Sequence, residues 1–322
     1  MLYPLTFQPI FKQLVWGGRE LERRYGKVLP PEVPIGESWE ISDRPNDVSV
    51  IANGPLAGKD LRWLMENCRT ELLGNAPSPG GRFPLLLKIL DAQTKLSLQV
   101  HPPAARAAEL GGEPKTEMWY ITQAAPGAEL FAGLKRGVTR AEFERKIQDG
   151  TVADCFHRIS ARAGDALFLP SGRVHGLGAG LVLFEIQQNS DTTYRVFDWN
   201  RVGLDGKPRP LHIPQALASI DFNDFEPELL PAAWSPGETC QVRPLVRESV
   251  FAVEACAAAA GARVPLPPRK MQIVAMLAGR ARIGDGSEAL ALAAGQFGLV
   301  PASLPPMSVR AAEPVTFLRI EL

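Results

Sequence analysis

The sequence predicts an all-β protein, and three observations carry that prediction. Glycine and proline occur 29 times each in 322 residues, a turn density that suits many short strands. Most periodic segments are short, apolar or alternating, and bounded by turn residues. A frame of glycine, five residues and proline occurs at Gly164–Pro170 and recurs at Gly295–Pro301, a hint of two related β units.

In chain order, Phe11–Gly18, which contains Trp16-Gly-Gly18, belongs to the opening strands and loops. Gly36–Ile41 alternates polar and apolar, as a half-buried strand does. Over Lys59–Gly74 the period changes to that of a helix. Leu61, Leu64, Met65, Cys68 and Leu72 form its stripe, Asp60 its N-cap and Gly74 its stop. Ala76–Gly81 is a loop, and Phe83–Leu90 reads as a central strand covered on both faces, with Lys88 its one charge. Glu129–Phe131 is a short strand. Thr139–Glu142 is a capping box, stapled by Val138 and Phe143 and closed by Gly150. Strands resume at Asp165–Leu169, Leu181–Ile186 and Thr193–Phe197, and Ile213–Ile220 is a brief helix with Pro214 at its start.

Asp221–Glu238 is rich in Pro, Asp, Glu and Asn and reads as a linker. Beyond it, Met271–Met276, Ala281–Ile283 and Val315–Ile320 are strands of a second, smaller β domain. A length of 322 residues also favours two domains. The division falls as 1–235 and 236–322.

A charged content of 22% and a formal net charge of zero give nucleic acid or an anionic membrane no footprint. No apolar run is long enough to span a bilayer, and the N-terminus lacks a basic leader. Cys68, Cys155, Cys240 and Cys256 are scattered without a C-x-x-C pair, as buried free thiols in a reducing cytoplasm would be.

The chemistry gathers around Ser97–Pro102 and Lys115–Trp119. Gln99 and His101 are two apart, as are Lys115 and Glu117, so on strands each pair shares a face. Between them, Pro102–Gly112 reads as a short helical turn closed by glycine. The wall so formed carries an amide, an imidazole, an ammonium and a carboxylate, which no apolar core requires. Of the four histidines, His101 and His175 sit beside turn residues at strand ends, whereas His157 and His212 read as an ordinary strand and an ordinary loop histidine.

His101, Glu117 and His175 form a ligand set for one divalent metal with an open position. The same types also describe the facial triad of non-haem iron proteins, so ligand type leaves zinc and iron both open. The competing reading is two satisfied histidines and a surface Lys115 paired with Glu117. Arg195, ten residues after Glu185, suits a phosphate clamp or a sugar oxygen, or is a solvated charge. In the second Gly-x5-Pro frame Pro306 stands where the first has His175, so only the first copy can hold a metal there.

Together these segments resemble the type I mannose-6-phosphate isomerases, zinc enzymes of the cupin superfamily. The match is carried by Leu96–Pro102, Lys115–Tyr120, Gly164–His175 and Glu185–Arg195, with support from Trp16-Gly-Gly18 and Gly36–Trp39. It covers nearly the whole chain and is densest over 83–201. Where longer members have His-Lys-Pro-Glu, this chain has Pro114-Lys115-Thr116-Glu117. The resemblance implies two cupin-type jelly-roll β-sandwich domains with small helical insertions, the first catalytic and the second degenerate.

It also implies one Zn2+ per chain on Gln99, His101, Glu117 and His175, a catalytic Arg195, and pocket residues Ser97, Lys88, Lys115 and Glu185. The implied reaction interconverts mannose 6-phosphate and fructose 6-phosphate in the cytoplasm, with Lys115 or Glu185 as the base. The expected partner is a small sugar phosphate, with no nucleic acid and no membrane, and a monomer is compatible with the sequence. A cupin dioxygenase with iron and a non-catalytic sugar-binding cupin are the alternatives. Against the first stand Gln99 crowding the metal and the charges of Lys88, Lys115 and Arg195.

Overall fold

A computed structural model describes residues 2–286 and 289–322. The first half begins with β1 (Ile10–Gly18), α1 (Glu20–Tyr25), β2 (Ile35–Ile41) and the two-residue strands β3 (Asp43–Arg44) and β4 (Asp47–Val48). Next come α2 (Leu61–Asn67), α3 (Arg69–Leu73), β5 (Leu85–Ala92), β6 (Leu98–Val100), α4 (Ala104–Ala107), β7 (Glu117–Ala124) and β8 (Glu129–Leu134). It ends with α5 (Arg140–Gln148), β9 (Phe156–Ser160), β10 (Ala166–Leu169), β11 (His175–Leu177), β12 (Leu181–Gln188), β13 (Tyr194–Phe197) and α6 (Ile213–Ser219).

The second half is all strand. It runs β14 (Ser235–Pro236), β15 (Gln241–Arg247), β16 (Ala252–Ala258), β17 (Arg263–Leu266) and β18 (Gln272–Ala278). β19 (Arg280–Ile283), β20 (Leu290–Ala293), β21 (Phe297–Val300), β22 (Met307–Ala311) and β23 (Val315–Glu321) complete it.

These strands make two antiparallel β-sandwiches of cupin type. In the first, a six-stranded sheet ordered β1-β2-β5-β12-β7-β10 faces a five-stranded sheet ordered β13-β6-β11-β8-β9. In the second, β14-β15-β16-β23-β18-β21 faces β17-β22-β19-β20. The two large sheets trace the same path, so the repeated Gly-x5-Pro frame marks a real structural repeat. Gly164 and Gly295 both have the positive φ that leads into the edge strands β10 and β21. Five residues on, Leu169 pairs with Glu117 and Val300 with Gln272. Gln272 therefore takes the place of Glu117, and Pro306 directly precedes β22 as His175 opens β11. Neither a glutamate nor a histidine stands at these two positions of the second sandwich.

The large sheets lie back to back. Leu87, Ile89, Phe184 and Ile186 from the first join Val253, Ile273, Phe297 and Ile320 from the second in one core. This is why Phe83–Leu90 reads as a continuous apolar run: all of β5 is buried, on both faces. The other face of the first large sheet meets the five-stranded sheet through Leu90, Trp119, Leu183, Leu130 and Leu177. Leu98, Val100, Tyr194 and Val196 point outward under Phe143 of α5 and Ala216 of α6. Gln99, His175 and Arg195 therefore point inward, between the sheets.

Several local expectations hold. Asp60 caps α2 by accepting from the Trp63 amide, and Thr139 caps α5 by accepting from that of Glu142. Gly17 faces Gly36 so closely that a Cβ on it would lie 2.3 Å from the Gly36 nitrogen. The glycines of both N-terminal motifs thus let β1 cross β2.

Other expectations are corrected. The helix over Lys59–Gly74 is two, broken at Cys68, whose φ of −137° leaves the helical region. Gly36–Ile41 is buried at every residue but Glu37 rather than half-buried: Ser38 and Glu40 on its polar side are buried, and Lys27 pairs with Glu40 at 2.7 Å. The supposed linker is bonded to the first sandwich: Leu134 donates to the Asp224 carbonyl and Leu230 to that of Ala166. All four cysteines are free, but only Cys155 and Cys256 are buried. No helix among the described residues is long and apolar enough to cross a membrane.

Candidate active site

The two ligand-bearing segments lie on opposite sheets, not on one wall. Gln99 is on β6 and His101 just past its end, whereas Glu117 opens β7 in the facing sheet with Lys115 just before it. Two rows of paired residues build the site. Across the five-stranded sheet, Arg195, Gln99 and His175 stand abreast. Across the six-stranded sheet, Trp39, Lys88, Glu185 and Trp119 do the same.

His101, Glu117 and His175 converge where the sheets meet. Their ligand atoms lie within 4.8 Å of one another, and all three residues are buried. His101 Nε2 is 3.4 Å from one Glu117 oxygen and His175 Nε2 is 3.3 Å from the other. A tetrahedron with bonds of about 2.0–2.1 Å has edges of about 3.3–3.4 Å, so this spacing fits a small divalent ion. Nδ1 of His101 lies 2.8 Å from the Thr192 carbonyl and Nδ1 of His175 2.9 Å from that of Arg173. Each Nδ1 therefore donates, and each Nε2 turns a lone pair to the centre. His101 Nε2 and both Glu117 oxygens have no well-aligned hydrogen-bond partner. Buried orphans of this kind are costly unless something binds them. The donor set fits a metal ion.

Gln99 extends the cluster, its amide nitrogen 3.3 Å from His175 Nε2 and its oxygen 3.2 Å from Ser97 Oγ. Lys115 is buried, not a surface lysine, and its ammonium lies 2.8 Å from Glu117. Burial acts to raise the Glu117 carboxyl, but Lys115 and the two imidazoles outweigh it and hold it well below the usual range. Burial, then the Lys115 ammonium, pushes His101 down to about 3, and burial lowers His175 too.

These shifts predict acid sensitivity in the metal-free protein. Unfolded, each histidine takes up a proton near pH 6.5; folded, His101 resists protonation down to about pH 3. Below pH 6.5 the unfolded chain thus binds more protons, and stability falls with pH, by up to about 1.4 kcal/mol per pH unit per histidine. The depressed Glu117 carboxyl adds a loss of the same sign below its ordinary range. Urea unfolding of chelated protein at pH 7.5 and 5 should show the drop, and His101→Asn should lessen it. Equal midpoints at the two pH values would contradict it.

Above the cluster opens a cleft of about 390 Å³, lined among others by Trp39, Lys88, Gln99, Lys115, Glu185 and Arg195. Lys88 is buried between Glu185 at 3.2 Å and Glu37 at 3.3 Å. Burial opposes its charge, but the two carboxylates win and raise it. The Trp119 indole donates to Glu185 at 2.8 Å and that of Trp39 to Glu37 at 2.6 Å. Burial, reinforced by Glu117, raises Glu185.

Arg195 has no carboxylate within ion-pair distance among the described residues, and its Nε is buried without a partner. Burial and neighbouring Arg209 lower it. His157 lies on β9 and His212 at the start of α6, where it accepts from the Arg195 backbone amide at 3.3 Å; neither joins the cluster.

Sequence reasoning missed Glu37 and Arg209. An acid two residues before a tryptophan on an alternating strand was the available signal for Glu37. Arg209 carries no local signal, since a loop from Asp198 brings it to the cleft, held by that aspartate at 2.7 Å.

A cupin sandwich with a buried His–Glu–His cluster under a charged cleft defines a candidate metal-site cupin. Known proteins narrow it further. The family described as phosphomannose isomerase type I, catalytic domain, matches residues 5–120. A mannose-6-phosphate isomerase of Streptococcus mutans is 37% identical over 302 residues, 94% of this chain and 93% of the relative. A probable mannose-6-phosphate isomerase of Bacillus subtilis is 41% identical over 223 residues, 68% of this chain and 69% of that protein. The crystal structure of the Bacillus subtilis mannose 6-phosphate isomerase superposes with a TM-score of 0.90 at 30% identity, over 100% of both chains. A phosphomannose isomerase variant from Salmonella typhimurium, 17% identical with a TM-score of 0.77, shares the fold. The chain belongs to the type I mannose-6-phosphate isomerase family, a family of aldose–ketose isomerases.

Proposed function

We propose that this protein interconverts mannose 6-phosphate and fructose 6-phosphate with one zinc ion per chain. The observation that carries the proposal is the buried convergence of ligand atoms from His101, Glu117 and His175, with His101 Nε2 and both Glu117 oxygens lacking a hydrogen-bond partner, beneath a cleft holding Lys88, Lys115, Glu185 and Arg195. Those three residues would hold the metal. Gln99 would join them if its amide turned over to present oxygen, since the amide's two ends are nearly the same shape. When bound, zinc supplies a Lewis acid for charge developing on sugar oxygens.

The chain's own groups do the rest. A proton must move between C1 and C2 through an enediol-like intermediate. We assign its transfer to Glu185, whose carboxyl burial pushes up toward the working range of a general base. Lys88 and the Trp119 indole hold that carboxylate in place. Lys115 balances Glu117, and Ser97 and Lys88 would contact the substrate. Arg195, with no carboxylate at ion-pair distance among the described residues, is free to meet an oxyanion.

The division at residue 235, a cytoplasmic location and a small sugar phosphate as partner belong to the same proposal. So does the lack of chemistry in the second sandwich, supported by Gln272 and Pro306 at the ligand positions. A coupled isomerase assay on mannose 6-phosphate, with and without chelator, tests the function.

A further inference from the structure

Each histidine of the cluster is aimed by a backbone carbonyl, and each carbonyl must itself be held. Arg173 secures its own: its guanidinium is bidentate to Asp224 at 2.8 Å and donates to the Phe168 carbonyl. Thr192 stands in the irregular segment between β12 and β13, where no strand ladder fixes it. A different side chain organises that segment. Gln187, fully buried, lies directly opposite Glu117 across β12 and β7. Its amide donates to the Ser190 carbonyl at 2.6 Å and the Gln188 carbonyl at 2.9 Å. The buried Ser190 hydroxyl lies 3.2 Å from the Glu113 carbonyl and accepts from the Thr192 amide at 3.2 Å. The Thr192 hydroxyl accepts from the Glu113 amide at 2.9 Å. The Thr192 carbonyl then receives His101.

The oxygen of the Gln187 amide has no hydrogen-bond partner among the described residues. The Gln272 amide oxygen in the second sandwich is unpartnered too, so what sets Gln187 apart is its place opposite Glu117 and its hold on the turn that carries the Thr192 carbonyl. We propose that Gln187 is a positioning residue for the metal. Through the Ser190–Thr192 turn it holds the carbonyl that fixes the tautomer and direction of His101, and so it sets metal affinity. The inference rests on reading His101, Glu117 and His175 as metal ligands.

Gln187→Met keeps the shape and removes both donors. Gln272→Met is its control. Gln272 is also buried, donates to the Pro267 carbonyl at 2.6 Å, and sits in the second sandwich. Losing an outer partner of a metal-bound histidine typically costs roughly 10–100-fold in metal affinity. Competition of the metal-free protein with a chromophoric chelator for zinc should show Gln187→Met binding about tenfold more weakly. The 15N spectrum of its His101 ring should lose the single Nδ1–H tautomer. Gln272→Met should leave both unchanged for a comparable loss in urea midpoint. Should Gln187→Met not fold, Ser190→Ala cuts the same chain one link on and should give the same two changes.

Wild-type affinity with an intact tautomer in the variant that folds would overturn the inference. So would equal weakening in Gln272→Met, which would mark a loss of general stability. Wild-type protein that bound no zinc would remove the metal reading beneath it as well.

Discussion

His175→Ala is expected to be purified without stoichiometric metal and with almost no isomerase turnover. Three side chains supply the convergent ligand atoms, and removing one leaves two that cannot close a tetrahedral site. The loss in affinity should exceed the roughly 10–100-fold that an outer-shell partner costs. His101→Ala should behave alike. His157→Ala should keep metal and activity, and His212→Ala should keep its metal, because both lie outside the cluster. Anomalous scattering from the wild type should place one ion beside Glu117 and none beside Gln272. Full metal occupancy in the His175→Ala protein would refute the assignment.

Arg195→Ala should keep its metal and its fold but lose roughly 100- to 1,000-fold in kcat, the typical cost of removing one oxyanion donor. The guanidinium stands abreast of Gln99, lines the cleft and has no carboxylate of its own among the described residues. It stays protonated, so it can stabilise developing charge without taking part in proton transfer. Stabilisation confined to the transition state appears in kcat rather than KM. Lysine at this position should rescue in part, keeping charge but losing the planar fork. A large rise in KM with kcat intact would make Arg195 a phosphate anchor instead. If neither parameter moved, Arg195 would have no role in turnover.

What the sequence made legible follows from what local patterns encode. Turn density and strand period gave the fold class, because both are set within a few residues. The caps at Asp60 and Thr139 were readable for the same reason. The repeat frame foreshadowed the doubled architecture, and Pro306 marked the copy without a histidine at that position. His101, Glu117 and His175, which the structure brings together, could be singled out because polar residues at strand ends stand out against an apolar core.

The geometry between sheets was not legible. Gln99–His101 and Lys115–Glu117 looked like one wall because period alone gives a face and not a sheet. Only the crossover between β6 and β7 shows that they oppose one another. Burial of Lys115 was hidden for the same reason, since its carboxylate partner is local but its covering strands are not. The break at Cys68 has no proline or glycine to signal it. The second anchor of His101, the Thr192 carbonyl, lies 91 residues away.

The most direct test is the coupled isomerase assay on mannose 6-phosphate, run on purified protein, after chelation, and after zinc is returned. The account predicts conversion to fructose 6-phosphate, its loss with the metal, and its recovery as zinc approaches one equivalent per chain. Undiminished turnover in protein shown to be free of metal would contradict it.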